Sequence, residues 1–268
     1  MKNTIYKISI LLFLFGIVIS CQSPEAVSNY TPAKYELPSG ITLGSSNIKP
    51  DSFDFTFNIT GSGEGYYVVV EGGSDEPSNN DVLDANASGL IQSGKFALTG
   101  TEVTISVSDL CNGATYDIYA VQMTSDGFLS ESTTKTSVTT EVLGISGTYT
   151  GISYAFGDNT PEFTATITLI DGTTNQYTID SAWGPNFVSW VTGDSGYDGL
   201  YVYSAIMTIN PDNTVTIIGD DDSSWYAIGG TGNFDDSCKN SFTYNIDQTL
   251  FGAGSFTVDV ELTQNQEQ

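Results

Sequence analysis

Between residues 183 and 203 the chain sets six aromatic rings: Trp183, Phe187, Trp190, Tyr197, Tyr201 and Tyr203. At the chain-wide frequency of 12% about two or three are expected there. Aromatic faces stack on the C–H faces of sugars, while carboxylates and amides bind sugar hydroxyls. Rings mixed with acids are therefore the ingredients of a glycan site. Trp183 precedes Gly184-Pro185, and Tyr197 lies in the turn-rich run GDSGYDG. Trp225 and Tyr226 follow the acidic turn Asp220-Asp221-Asp222-Ser223-Ser224. Packing is a poor explanation for rings in such loops. The candidate ligand contacts are Trp183, Trp190, Tyr197, Trp225 and Tyr226. Tyr201 and Tyr203 share a face with Met207 and Ile209 and read as core. The competing explanation for all these rings is that they fill a small β core, where aromatics bury large areas.

Other chemistry is thinly supplied. The 268 residues hold 32 acidic and 7 basic residues, every base is Lys, and there is no His. A Ser-His-Asp triad and a His metal ligand are excluded. So is a bidentate guanidinium clamp. A net charge of −25 repels phosphate backbones, so no nucleic-acid partner is expected. No GxSxG pattern occurs. A hydrolase would rest on two carboxylates facing one sugar, and no spacing singles out a pair, so the expectation is not an enzyme, with no cofactor. The Asp220-Asp222 run lacks the alternating oxygen spacing of a calcium loop, so no metal is expected.

The elements that must carry these rings are strands. Phe53, Phe55 and Phe57 alternate with polar residues, followed by the runs YYVVVE at 66–71 and YDIYAV at 116–121. Residues 72–86 read as loop. A second series opens near residue 146. Phe163, Ala165, Ile167 and Leu169 alternate cleanly. Tyr201 to Ile209, Phe242 to Ile246 and Phe256 to Leu262 follow the same period. Eight or nine short strands imply an antiparallel meander, either a small barrel or a two-sheet sandwich. The fold class is all-β, with units at 37–142 (net charge −11) and 143–268 (net charge −15).

Lys2 and Lys7 precede an apolar run from Ile8 to Ile19, too short to span a bilayer but suited to a signal peptide at 1–20. The ending Val18-Ile19-Ser20-Cys21 resembles the lipobox of bacterial lipoproteins. The resemblance implies cleavage before Cys21, lipidation of Cys21 and a membrane partner reached through the anchor. Gln22 in place of Asp resembles the outer-membrane sorting pattern. Residues 21–36 read as a polar tether. Leu110, Gly113 and Tyr116 sit at the spacing of fibronectin type III domains, which implies a seven-stranded sandwich with a tyrosine corner. Phe57 stands where that family has Trp, and Asn112 and Ala114 where Pro and Thr are common. SGTYTG at 146–151 and the ending GTGNFDD…SFTYNI…FTVDVEL from residue 230 resemble lipocalin-like C-terminal domains of Bacteroidota surface lipoproteins. Cys111 and Cys238 are open to bridging in an oxidising envelope. A bridge between units needs a fixed arrangement, so two separate small apolar residues are expected. Together these features point to an outer-membrane or surface lipoprotein that binds glycan or scaffolds partner proteins in a nutrient-acquisition assembly. A purely structural spacer and a carboxylate-based glycoside hydrolase are the alternatives.

Overall fold

In the computed structural model the described residues are 41–58, 62–130, 133–220, 222–252 and 256–265. The segments read as signal peptide (1–20) and tether (21–36), with Cys21, lie outside them. The protein is all-β, and every strand pairing is antiparallel.

The first half is a sandwich of seven strands. One sheet has the order β1 (Thr42–Ser46), β2 (Phe53–Asn58), β5 (Val103–Val107). The other has the order β4 (Leu90–Leu98), β3 (Gly63–Glu71), β6 (Thr115–Met123), β7 (Thr134–Thr139). Phe53, Phe55 and Phe57 point inward from β2 and meet Tyr67 and Ile118 of the facing sheet. The Tyr116 hydroxyl accepts the Cys111 main-chain N–H at 2.9 Å, a tyrosine corner that ties β6 to the preceding loop.

β3 and β6 are buried on both faces, which explains the apolar runs at Tyr66–Val70 and Ile118–Val121. Their outer face carries Val68, Val70, Tyr119 and Val121, and Val82 covers it from helix α1 (Asn79–Leu83). The loop expected at 72–86 therefore contains a helix. Ser78 and Asp81 close a capping box at its start, with the Ser78 N–H held by Asp81 at 2.9 Å.

The second half is a closed barrel of eight strands. They are β8 (Gly147–Ala155), β10 (Phe163–Leu169), β11 (Gln176–Ile179), β12 (Ala205–Ile209), β13 (Thr214–Gly219), β14 (Ala227–Asp235), β15 (Ser241–Gln248) and β16 (Thr257–Gln264). Each pairs with the next, and β8 pairs with both β16 and β10 to close the ring. A short β9 (Asp158–Asn159) extends the hairpin after β8. Alternation sets what faces inward: Tyr149, Ile167, Met207, Ile217, Phe242, Tyr244, Val260 and Leu262 are all buried. The interior is thus filled by side chains. At Gly230 and Gly232 an added Cβ would collide with the carbonyl oxygens of Asn245 and Thr243, so these glycines let β14 cross closely over β15.

The up-and-down order sorts the connections between two ends. The loops 170–175, 210–213 and 236–240 lie at the end that meets the sandwich. There a disulfide joins Cys111 to Cys238 across 127 positions. This corrects the expectation of two unpaired residues. The fixed arrangement that a bridge requires is supplied by side-chain amides, the half-buried Asn112 and the buried Asn240 and Gln264. Asn112 receives Leu143 N–H at 3.3 Å and donates to Cys238 O at 2.5 Å. The Asn240 amide donates to Gly144 O at 3.2 Å and to Gln264 Oε1 at 2.7 Å. Gln264 returns a bond to Gly144 O at 2.8 Å. The segment joining sandwich to barrel is thereby strapped to both.

Candidate functional site

The described residues of the connections 156–162, 180–204, 220–226 and 249–256 lie at the other, far end of the barrel. The longest, 180–204, folds over the barrel mouth. It is anchored by Trp183, which is 0% exposed. The indole N–H donates to Tyr201 O at 3.1 Å, and the ring packs on Tyr203 at 4.9 Å and Phe187 at 5.2 Å between centroids. The main chain beside it is tied down as well: Ser153 Oγ donates to Trp183 O at 2.8 Å and Tyr244 Oη to Ala182 O at 2.6 Å. Trp183 was expected on the surface because of its Gly-Pro context. The structure corrects that: the turn exists, but it folds the indole inward as the plug of the barrel.

After this plug comes a helix that the sequence did not announce, α2 (Phe187–Thr192), ending at Gly193 in the left-handed conformation. A 3-10 turn follows at Ser195–Tyr197, held by Asp194 accepting Gly196 N–H at 2.8 Å. α2 separates two clefts. The first, about 460 Å³, is lined among others by Glu162, Phe163, Asn186, Ser189, Trp190 and Asp198, with Trp183 in its floor. The second, about 280 Å³, is lined by Val188, Thr192, Tyr197, Tyr201, Trp225, Leu250 and Phe251.

Trp225 is the most surface-directed of the three Trp residues. It is 61% exposed, yet its backbone is fixed: Thr249 Oγ donates to Trp225 O at 2.6 Å, and Thr249 N–H to Tyr226 O at 2.8 Å. Its ring stands edge-on to Tyr226 at 4.2 Å and to Tyr201 at 6.2 Å. Tyr226 is half-buried and braces the cluster without lining either cleft.

Four of the five sequence candidates therefore line these clefts. Trp183 and Trp190 belong to the first, Tyr197 and Trp225 to the second. Three further residues were missed. Tyr201 was assigned to a strand face, but β12 begins only at Ala205, and Tyr201 has a φ of +57° that turns the chain out of strand geometry. Phe251 sits in a Gly-containing loop, the same signal that flagged Tyr197. Asn186 accepts Gly199 N–H at 3.0 Å through Oδ1, leaving its amide nitrogen as the donor on offer to the first cleft.

The acidic turn is structural at its head. Asp220 Oδ1 accepts the N–H groups of Asp222 at 3.1 Å and Ser223 at 3.0 Å, and the Ser223 hydroxyl at 3.1 Å. Burial pushes this carboxyl up, but hydrogen bonds from Ser204, Ser223 and Asp222 outweigh it and hold it below the ordinary range. Among the described residues no three His, Cys, Asp or Glu side chains gather as a metal site. Burial, with the Asp220 charge adding to it, pushes the Tyr203 phenol up to about 12, and burial likewise holds the Tyr244 phenol well above its ordinary value. Both phenols are neutral near pH 7.

No family model matches the chain. No curated protein matches it. Among solved structures, a lipoprotein of Bacteroides thetaiotaomicron is similar at 17% identity, with 64% of this chain and 88% of that chain covered and a TM-score of 0.33. A likeness of that size carries neither fold nor function across.

Proposed function

We propose that this chain is a non-enzymatic, lipid-anchored surface protein of the outer membrane whose barrel binds glycan at its far end, within a nutrient-acquisition assembly. The lipobox resemblance at Cys21 supports the anchor and the address. The strand order of the two sheets and the Tyr116 corner support a fibronectin type III-like reading of the sandwich. The meander barrel supports a lipocalin-like reading of the second half. One observation carries the binding role: Trp225 is largely exposed while its main chain is clamped by Thr249. An indole that gains little from burial, held rigid beside Tyr201 and Tyr197, is a pre-organised stacking platform.

The test is a glycan-array screen of the chain from residue 22 onward, beside its Trp225→Ala variant. The reading expects retention of at least one glycan class, lost in the variant at unchanged thermal stability. Silence across the array, or equal retention by the variant, rejects it.

One observation favours the hydrolase alternative: Glu162 and Asp198 line the same cleft. Both are exposed to water, whereas the general acid of such enzymes is typically buried in apolar surroundings. Binding without turnover is therefore preferred. Release of reducing sugar by the wild type that is abolished in Glu162→Gln would reverse that preference.

A further inference from the structure

We infer that the ligand is an uncharged oligosaccharide longer than one sugar unit, which crosses α2 and occupies both clefts. The inference rests on the glycan reading and adds length and charge class to it.

The length follows from how α2 divides its side chains. Val188 and Thr192, four apart and therefore on one face, line the second cleft. Asn186 and Trp190, again four apart, line the first, with Ser189 beside them. The neighbours Tyr197 and Asp198 likewise face one cleft each. The two clefts thus stand back to back across one helix. A helix with its side chains is ~10 Å wide, more than a single pyranose ring reaches across. Each cleft offers its own partly or largely exposed indole, Trp190 in one and Trp225 in the other. Ring stacking at both points requires at least two linked sugars.

The charge class follows from where cations are absent. Segment 143–268 has Lys239 as its one basic residue, and this lies in the loop between β14 and β15, at the sandwich end. None of the four far-end loops contains Lys, Arg or His. Their described residues hold seven carboxylates, including Glu162 and Asp198 in the first cleft. A uronate or sulfated glycan would bring like charge onto this face with no compensating partner. Sugar hydroxyls, by contrast, can donate to Glu162 and Asp198 and accept from the Asn186 amide.

The experiment is calorimetric titration of the chain from residue 22 onward. The probes are glucose-, mannose-, xylose- and N-acetylglucosamine-based oligomers, each from one unit upward. Oligogalacturonate and a sulfated oligosaccharide are the anionic counterparts. Affinity for one uncharged series is expected to rise roughly tenfold or more with length, then level off once both clefts are filled. Trp190→Ala and Trp225→Ala should each return the long oligomer to the affinity of a short one. Ser189→Trp, which obstructs the first cleft without removing a packed ring, should do the same. Anionic oligomers should not bind at low salt. Affinity independent of length, or sensitivity to only one cleft, overturns the bridging while leaving a glycan site in place. Equal or tighter binding of the anionic oligomers overturns the charge class. Binding of a Lys-rich peptide with no sugar retained would overturn both this inference and the glycan reading beneath it.

Discussion

The two ends of the barrel are built from the same eight strands and have opposite characters. At the sandwich end the connections are short, the amides of Asn112, Asn240 and Gln264 are satisfied by main chain and by one another, and a disulfide crosses to the sandwich. At the far end one connection runs from 180 to 204, large apolar side chains such as Trp225, Phe156 and Leu200 face water, and carboxylates gather without a cation. Solvent-facing rings gain little free energy for the fold, while a strapped opposite end holds them in place. The difference locates function: rigidity is concentrated where the barrel is held, and unsatisfied surface where a ligand can reach it.

Substitutions should separate the two ends by what they disturb. The largest loss is expected from Trp183→Ala, which empties the plug of the far end. It should lower stability by about 3–5 kcal/mol, as large aromatic truncations do, and loosen both clefts with it. Chemical denaturation would measure this; a loss below about 1 kcal/mol would mean that the indole does not pack as described. Trp225→Ala is the contrast at the same end: stability should change within about 0.5 kcal/mol.

At the sandwich end, the paired change Cys111→Ser with Cys238→Ser should lower stability by about 2–4 kcal/mol, chiefly through a freer unfolded chain. It should leave ligand affinity intact. Unfolding with and without reductant checks the first part. A binding loss equal to that of Trp225→Ala would show that the two ends are not independent.

The smallest effect concerns acid. Asp117 sits buried in β6, where Ser137 Oγ donates at 2.5 Å and Lys135 Nζ at 3.0 Å. Burial raises its carboxyl, but these bonds and the Lys135 charge outweigh burial and leave it below the ordinary range, as with Asp220. A carboxyl lowered in the folded state stabilises the fold fully above its unfolded value, near pH 4 (about 3.9 for Asp). That contribution disappears as pH falls through the lower folded value. Asp220→Asn should therefore flatten the acid limb of stability modestly. Asp117→Asn should flatten it more, since Asp117 is itself the more deeply buried of the two and is also paired with Lys135. Identical acid limbs in wild type and both variants would contradict these assignments.

Much of the fold was legible because strand period and burial coincide. The alternation at Phe53–Phe57 and at Ala165–Ile167 named both the strands and their inward faces, and the Leu110-Gly113-Tyr116 spacing pointed to the corner bond. What escaped was decided by non-local contacts. Barrel closure depends on β8 meeting β10 and β16, which no local pattern reports. The Cys111–Cys238 bridge depends on two loops brought together by the amide straps. Helix α2 is short, has no side-chain bond at its start and is held by Phe187 against Trp183. α1 is different: Ser78-x-x-Asp81 was a readable capping signal within a Gly- and Asn-rich stretch. At the site, ring type and loop context identified four lining residues, but loop context alone could not say that Trp183 turns inward and Tyr201 outward.

The central claim is that ligand meets the far end alone. The most direct test is amide hydrogen exchange of the chain from residue 22 onward, with and without saturating amounts of the longest uncharged oligosaccharide retained in the titration series. Slowed exchange confined to 156–162, 180–204, 220–226 and 249–256 is the predicted result. Protection centred on 236–240, on the 141–146 connection or on the sandwich would contradict it.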